Sequence, residues 1–170
     1  AVIAGMLGLA KKCLIVDLDN TLWGGVIGDD GVEGIAIGND SASAEAHSDL
    51  QQYILDLQQR GILLAVCSKN DESNARLGFS HISSVLQETD FAVFLANWNN
   101  KPDNIDSIAN TLAIATDSMV FLDDNPVERD LIRQQLPSVM VPETGSDITD
   151  FIHILDQAAL FETPLLSAED

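Results

Sequence analysis

Residues 13–21 read Cys13-Leu14-Ile15-Val16-Asp17-Leu18-Asp19-Asn20-Thr21. The uninterrupted apolar run Cys13–Val16 has the character of a strand covered on both faces, which implies a parallel sheet sandwiched by helices. Two carboxylates, Asp17 and Asp19, follow where that strand must end. Ligands of open α/β sheets bind at the carboxyl ends of the strands, so the first such end in this chain presents acid.

The same arrangement repeats downstream. Ile62 to Cys67 is a second buried strand closing on Ser68-Lys69-Asn70, and Phe91 to Leu95 a third, followed by the polar turn Asn97-Trp98-Asn99-Asn100. Ser118 to Leu122 is a fourth, ending at Asp123-Asp124, and a short strand is expected near Val139 to Val141. Segments of helical period separate these runs. Ala46, Leu50, Tyr53, Ile54 and Leu57 share one helix face, with Gly61 as the stop. Glu72 to Phe79 is a short helix, while the stretch from there to Asp90 has no clear period. Pro102 and Pro126 each open a helix, at the position where a missing N–H costs nothing. An amphipathic helix around Phe151 to Leu160 completes the pattern. Strands alternating with helices predict an α/β fold of three layers, Rossmann-like, with a mainly parallel sheet.

Residues 23–39 interrupt the alternation. They are glycine-rich, and Asp30-Gly31 between short apolar stretches predicts a hairpin turn. Too few residues are present for a core, so a small β-flap is expected rather than a large cap domain. No repeat or linker divides the remainder, and residues 1–170 read as one catalytic domain. The chain opens on Ala1 and reads as a segment excised from a longer polypeptide. Its apolar start, residues 1–10, lacks the basic flank of a signal peptide.

Composition narrows the partners. With 8 basic residues against 27 acidic ones the formal charge is −19, which disfavours nucleic acid or an anionic membrane as main partner. No run of about 18 apolar residues is present to span a bilayer. Cys13 and Cys67 are too few for a disulfide framework and read as reduced thiols of a cytoplasmic protein. The three histidines share no metal-ligand spacing and read as ordinary surface or core residues. Lys69, Lys101 and Arg129 all lie just past strand ends, which predicts a locally positive mouth in an acidic protein.

The four polar clusters, Asp17-x-Asp19-x-Thr21, Ser68-Lys69-Asn70, Lys101 and Asp123-Asp124, resemble in order and placement the four motifs of the haloacid dehalogenase (HAD) superfamily. One acidic pair after a strand is usually a turn or a helix cap; four clusters in sequence are specific. The resemblance implies Mg²⁺ held by Asp17, Asp19, Asp123 and Asp124. Asp124 would bind directly, Asp123 through a coordinated water and Asp19 through its backbone carbonyl. It implies Asp17 as nucleophile, Asp19 as general acid and base, Ser68 as a phosphoryl contact and Lys101 as the charge partner of Asp17. Thr21 would order the loop around the phosphoryl group.

The strings DLDNTLWGGVIGDDG, LAVCSKNDE, FLANWNNKPDNI and FLDDNPVERDLIRQQLP look like the FkbH-like branch, from about Lys12 to Glu143. That resemblance implies dephosphorylation of D-1,3-bisphosphoglycerate and transfer of the glyceryl group to the phosphopantetheine thiol of an acyl carrier protein in polyketide biosynthesis. An enzyme-bound thioester would need a cysteine, and Cys67 is the candidate. Cys13, roughly 13 Å before Asp17 along a strand, lies toward the wrong end. Alternation argues that if Ser68 faces the site Cys67 faces away, so a thioester carrier and a buried small hydrophobe both stay open. Trp23 is either a substrate contact or core packing, and Lys69 and Asn70 are candidate substrate contacts. Trp98 and Asn99 either contact the glycerate or shape the turn. Two competing functions are a plain HAD-type phosphatase for a small metabolite and a non-catalytic carrier-docking module.

Overall fold

A computed structural model describes residues 10–161; the apolar residues 1–9, where the signal-peptide question falls, lie outside it. Four parallel strands form one sheet in the order β3-β2-β1-β4: β1 (Cys13–Val16), β2 (Leu63–Lys69), β3 (Val93–Asn97) and β4 (Met119–Leu122). Among the described residues six helices connect and cover them: α1 (Ile27–Gly34), α2 (Ala42–Gln59), α3 (Glu72–Leu77), α4 (Lys101–Leu112), α5 (Pro126–Gln135) and α6 (Phe151–Ala158). The α/β fold and the parallel sheet are those expected from the alternation of apolar runs. Met140 adds a parallel bridge to Val120, so the short strand expected at 139–141 extends the sheet beyond β4.

The pleat divides the core in two. Leu14 and Val16 of β1 face a layer containing Leu50, Ile54 and Leu57 of α2 and Phe151 and Leu155 of α6. Cys13 and Ile15 face the opposite layer, with Ile105 and Ile108 of α4 and Ile132 of α5. Every residue of β1 and β4 is fully buried, which explains the uninterrupted apolar runs in sequence. Register is tight: Val16 pairs with both Val66 and Leu122. The residues that follow these three strands therefore emerge side by side.

The excursion over residues 23–39 departs from the expected hairpin. Its base is β-like, closed by reciprocal hydrogen bonds between Gly24 and Ala36 of 2.9 and 2.8 Å. Its tip is α1. Asp30 Oδ2 accepts from the Val26 N–H at 2.8 Å, and Asp29 and Asp30 both stand in the first turn, where carboxylates favour a helix start. Gly31, at φ 70°, supplies a kink inside the helix instead of a two-residue turn. Ile27, Ile35 and Ile37 anchor the excursion to the core.

The buried stripe of α2 is rotated from the expected one. It runs His47, Leu50, Gln51, Ile54 and Leu57, with Tyr53 only half-buried. Two polar residues were thus hidden inside the core face. Gln51 is satisfied there, donating to Leu22 O at 2.8 Å and accepting from the Val85 and Leu86 N–H groups at 3.0 Å. It pins the aperiodic loop that precedes β3. Among the described residues no helix is long and apolar enough to cross a membrane.

Candidate active site

The carboxyl ends of β1 and β4 bring Asp17, Asp123 and Asp124 together. One oxygen of each lies within 4.8 Å of the others, close enough to share a single cation. Parallel pairing puts adjacent strands about 4.8 Å apart, so the spacing of the acids follows from the sheet itself. Lys101, at the start of α4, reaches back across β2 and places Nζ 3.1 Å from Asp17 Oδ1 and 2.5 Å from Asp123 Oδ2. The ammonium is almost wholly buried and neutralises part of a charge that could not otherwise be buried there. Burial alone would lower the Lys101 pKa; the two carboxylates outweigh it and push it up.

The acids feel the opposite pressure. Burial raises Asp17 to about 6, opposed by Lys101 and reinforced by Asp124. Burial and the Asp17 charge raise Asp123 to about 7, and Asp124 is also raised, chiefly by burial. A buried acidic triad held away from its ordinary range lacks positive charge, and the hard oxygen donors fit Mg²⁺ or a similar hard cation.

The loops around the triad are braced from below. Thr21 is fully buried, with Oγ1 donating to Asp124 Oδ1 at 3.0 Å and accepting from the Asp124 N–H at 3.3 Å. It orders the loop and offers no surface to a substrate. Arg129 donates to the backbone carbonyls of Asp123 and Asp124 at 3.1 and 3.0 Å and pairs with Glu143 at 2.8 Å. The expected positive mouth is therefore not formed. Arg129 is turned under the loop, Lys101 is spent on the triad, and Lys69 lies 3.5 Å from Glu128. The cleft above the triad, about 200 Å³, is lined by Asp17, Asp19, Asp123, Asp124 and Glu128 against Lys69 and Lys101. Such a mouth attracts a cation first and an anion only after it.

Asp19 does not join the triad through its carboxylate. Oδ1 accepts from Trp23 Nε1 at 3.0 Å and the Ile27 N–H at 2.9 Å, and Oδ2 accepts from Asn70 Nδ2 at 2.9 Å. The Trp23 indole N–H and the Asn70 amide are thus both engaged by the Asp19 carboxylate. Trp23 is 1% exposed and packs edge-on against Phe79, ring centroids 5.4 Å apart. Ser68 is buried, with Oγ 3.5 Å from Asn70 Nδ2. Trp98 stands out in solvent with Nε1 bonded to Asp71 at 2.8 Å, shaping the turn after β3.

Cys67 follows the alternation argument. Ser68 lies toward Asn70, 3.5 Å from its Nδ2, and Cys67 is fully buried with Ile15, Ala65 and Ile105 in the opposite core layer. Its Sγ lies 3.9 Å from the Lys101 carbonyl, and burial pushes the thiol up to about 12. A thiol so held is neither ionised nor reachable, so the structure does not bring it into the site as a thioester carrier. Cys13 is likewise buried and raised to about 12.

The residue that sequence reading passed over is His47. The residue is 3% exposed, and its Nδ1 lies 2.7 Å from the Thr21 carbonyl. Metal-ligand spacing could not have found it; its place on the buried stripe of α2 could.

Known structures fit this geometry. The chain is similar to the N-terminal part of the protein BF1531 from Bacteroides fragilis, which contains a phosphatase domain and is complexed with Mg. They are 50% identical with a TM-score of 0.92, over 96% of this chain and 44% of that one. The chain thus spans less than half the length of that structure. A haloacid dehalogenase-like hydrolase of Streptococcus pneumoniae aligns over 89% of this chain and 99% of its own, at 14% identity and a TM-score of 0.57. A HAD family enzyme of Bacteroides thetaiotaomicron aligns over 78% and 92%, at 12% identity and a TM-score of 0.51. No protein-family model and no curated protein matches. The fold is the Rossmann-like fold of the HAD structures, carrying an acidic triad and a buried lysine at the strand ends.

Proposed function

We propose that this domain is a Mg²⁺-dependent HAD phosphohydrolase in which Asp17 attacks the phosphorus of a phosphate ester. The observation that carries the reading is the triad of Asp17, Asp123 and Asp124 within 4.8 Å, with Lys101 on two of its members. Mg²⁺ held by these oxygens would offset the negative charge that otherwise keeps a phosphate dianion from a carboxylate.

The chain's own groups supply the rest. Lys101 holds one oxygen of Asp17 and so fixes the carboxylate for attack. An Asp17 O–P bond forms as the ester P–O bond breaks, and the departing alkoxide takes a proton from Asp19. Asp19 lines the cleft, where donors from Trp23, Ile27 and Asn70 hold its carboxyl in place. Water then attacks the aspartyl-phosphate, giving its proton to Asp19, and phosphate leaves with Asp17 restored. The test is phosphate release with and without Mg²⁺, with acid-quench trapping of phosphorylated enzyme. Asp17→Asn should abolish both turnover and adduct; an adduct that survives in this variant would remove Asp17 as nucleophile.

Within this class we favour D-1,3-bisphosphoglycerate as substrate and an acyl carrier protein as glyceryl acceptor. The support is the run of FkbH-like strings from Lys12 to Glu143, together with a flap too small to roof the cleft. The burial of Cys67 favours direct attack by the carrier thiol on the acyl phosphate, forming a thioester and expelling phosphate. Incubation with bisphosphoglycerate and holo-carrier, read by the carrier's mass, decides this. Free phosphate without a glyceryl-carrier adduct leaves a plain phosphatase.

A further inference from the structure

A second and larger cavity, about 520 Å³, opens beside the phosphoryl cleft and shares Asn20 and Asp124 with it. It lies between the flap (Gly24, Asp30), the first turns of α2 (Ser43, His47) and residues 146–148. No lysine or arginine lines it among the described residues.

The key group on its wall is His47. The Thr21 carbonyl can only accept, so the 2.7 Å contact requires the proton on Nδ1. Burial lowers the imidazole pKa, which favours the neutral ring. Nε2 is then a bare lone pair with no hydrogen-bond partner among the described residues, on a residue only 3% exposed. A glycine keeps this edge clear: a Cβ at Gly24 would stand 3.4 Å from Nε2 and 2.9 Å from the Ala36 Cβ. An unpartnered acceptor in a cavity flanked by the Asp30 and Asp124 carboxylates matches a donor-bearing ligand and repels an anion.

We propose that this cavity is the subsite for the alcohol portion of the substrate, and that His47 Nε2 accepts a hydrogen bond from a free hydroxyl on it. The preferred substrates are phosphate esters of polyhydroxylated alcohols. A second anionic group would lie outside the cavity, on the side of the half-exposed Lys69. This assignment deepens the phosphohydrolase reading and rests on it.

The test compares glycerol 3-phosphate and ribitol 5-phosphate with propyl and pentyl phosphate, which match their chain lengths and lack the hydroxyls. Wild-type enzyme should favour the hydroxylated partner of at least one pair by about three- to tenfold in kcat/KM, the span of one neutral hydrogen bond. His47→Asn keeps a donor for the Thr21 carbonyl while removing Nε2, and should bring that ratio close to one. Hydrolysis of all four esters without preference, or a preference untouched in His47→Asn, overturns the subsite assignment alone. No hydrolysis of these four esters overturns this inference, and absence of phosphate release from bisphosphoglycerate as well overturns the phosphohydrolase reading with it. Imidazole ¹⁵N correlation spectra of the wild type give a check that needs no variant. A protonated Nδ1 and bare Nε2 at neutral pH support the assignment, and the reverse tautomer overturns it.

Discussion

Gly78→Ala should disturb Asp19, proposed above as general acid and base, from outside the cleft. Gly78 has ordinary helical angles, φ −57° and ψ −31°, so alanine is unstrained there and would by propensity alone stabilise the chain by about 1 kcal/mol. Sterics reverse the sign. The new Cβ would lie 2.3, 2.7 and 2.8 Å from Cη2, Cζ3 and Cζ2 of Trp23, where carbon contacts settle at about 3.5–4.0 Å. The indole must retreat by about 1 Å, yet Phe79 packs against it and its N–H is tied to Asp19. Overpacking of this kind costs about 1–3 kcal/mol, which in a chain of this size lowers Tm by roughly 2–12 °C. The same retreat stretches the 3.0 Å bond from Trp23 to Asp19 beyond hydrogen-bond range. A misplacement of about 1 Å in a proton-transfer group can cost about 100-fold, so kcat should fall about 10- to 100-fold while Mg²⁺ affinity holds. Thermal denaturation and phosphate release at saturating Mg²⁺ read the two effects. Adding Trp23→Phe, which removes the outer ring atoms, should return part of the lost stability. A variant with a higher Tm and wild-type kcat would refute the coupling from Gly78 through Trp23 to Asp19.

Three other outcomes follow from the same geometry. Asp17 and Asp123 hold protons in the folded chain that the unfolded chain has released between about pH 4 and 7, so metal-free stability falls as pH rises through that window. The Mg²⁺-induced gain in Tm should accordingly be larger at pH 8 than at pH 5.5, and a gain that shrinks with rising pH would contradict the assignment of these acids as ligands. Lys101→Met strands two buried carboxylates and should cost about 3–5 kcal/mol in urea unfolding, together with turnover; loss of activity at unchanged stability would mean the ammonium is not structurally needed. Arg129→Met frees the carbonyls of Asp123 and Asp124, and should weaken Mg²⁺ binding about 10- to 100-fold by calorimetry.

The parts of this molecule legible from sequence are those in which apolar burial is uninterrupted. β1 and β4 are buried on both faces, so Cys13–Val16 and Met119–Leu122 announce themselves, and the acids that follow them must converge. Alternation between neighbours on β2 holds: Val66 and Cys67 lie in opposite core layers, with Cys67 buried. What stayed hidden were polar groups doing core work. His47 and Gln51 lie on the buried stripe of α2, but their partners are backbone atoms far away in sequence, Thr21 O for one and the Val85 and Leu86 N–H groups for the other. Trp23 was ambiguous because its ring fills the core while its N–H serves Asp19. At the flap, Asp30-Gly31 carries a turn signal, yet the Asp30 carboxylate caps its own helix and Gly31 becomes a kink. Arg129 misled through its position: it follows a strand end, but the α5 turn folds it beneath the loop instead of over the mouth.

The pairing of Val16 with Leu122 has a consequence for how the cation seat can fail. Because side chains alternate, a slip of one residue between β1 and β4 would exchange the two core layers and carry Asp17 away from Asp123 in the same movement. Metal affinity is therefore a gauge of strand alignment at the centre of the sheet. A chain misfolded there cannot retain a serviceable seat, and one that binds its ion tightly has its central strands in step.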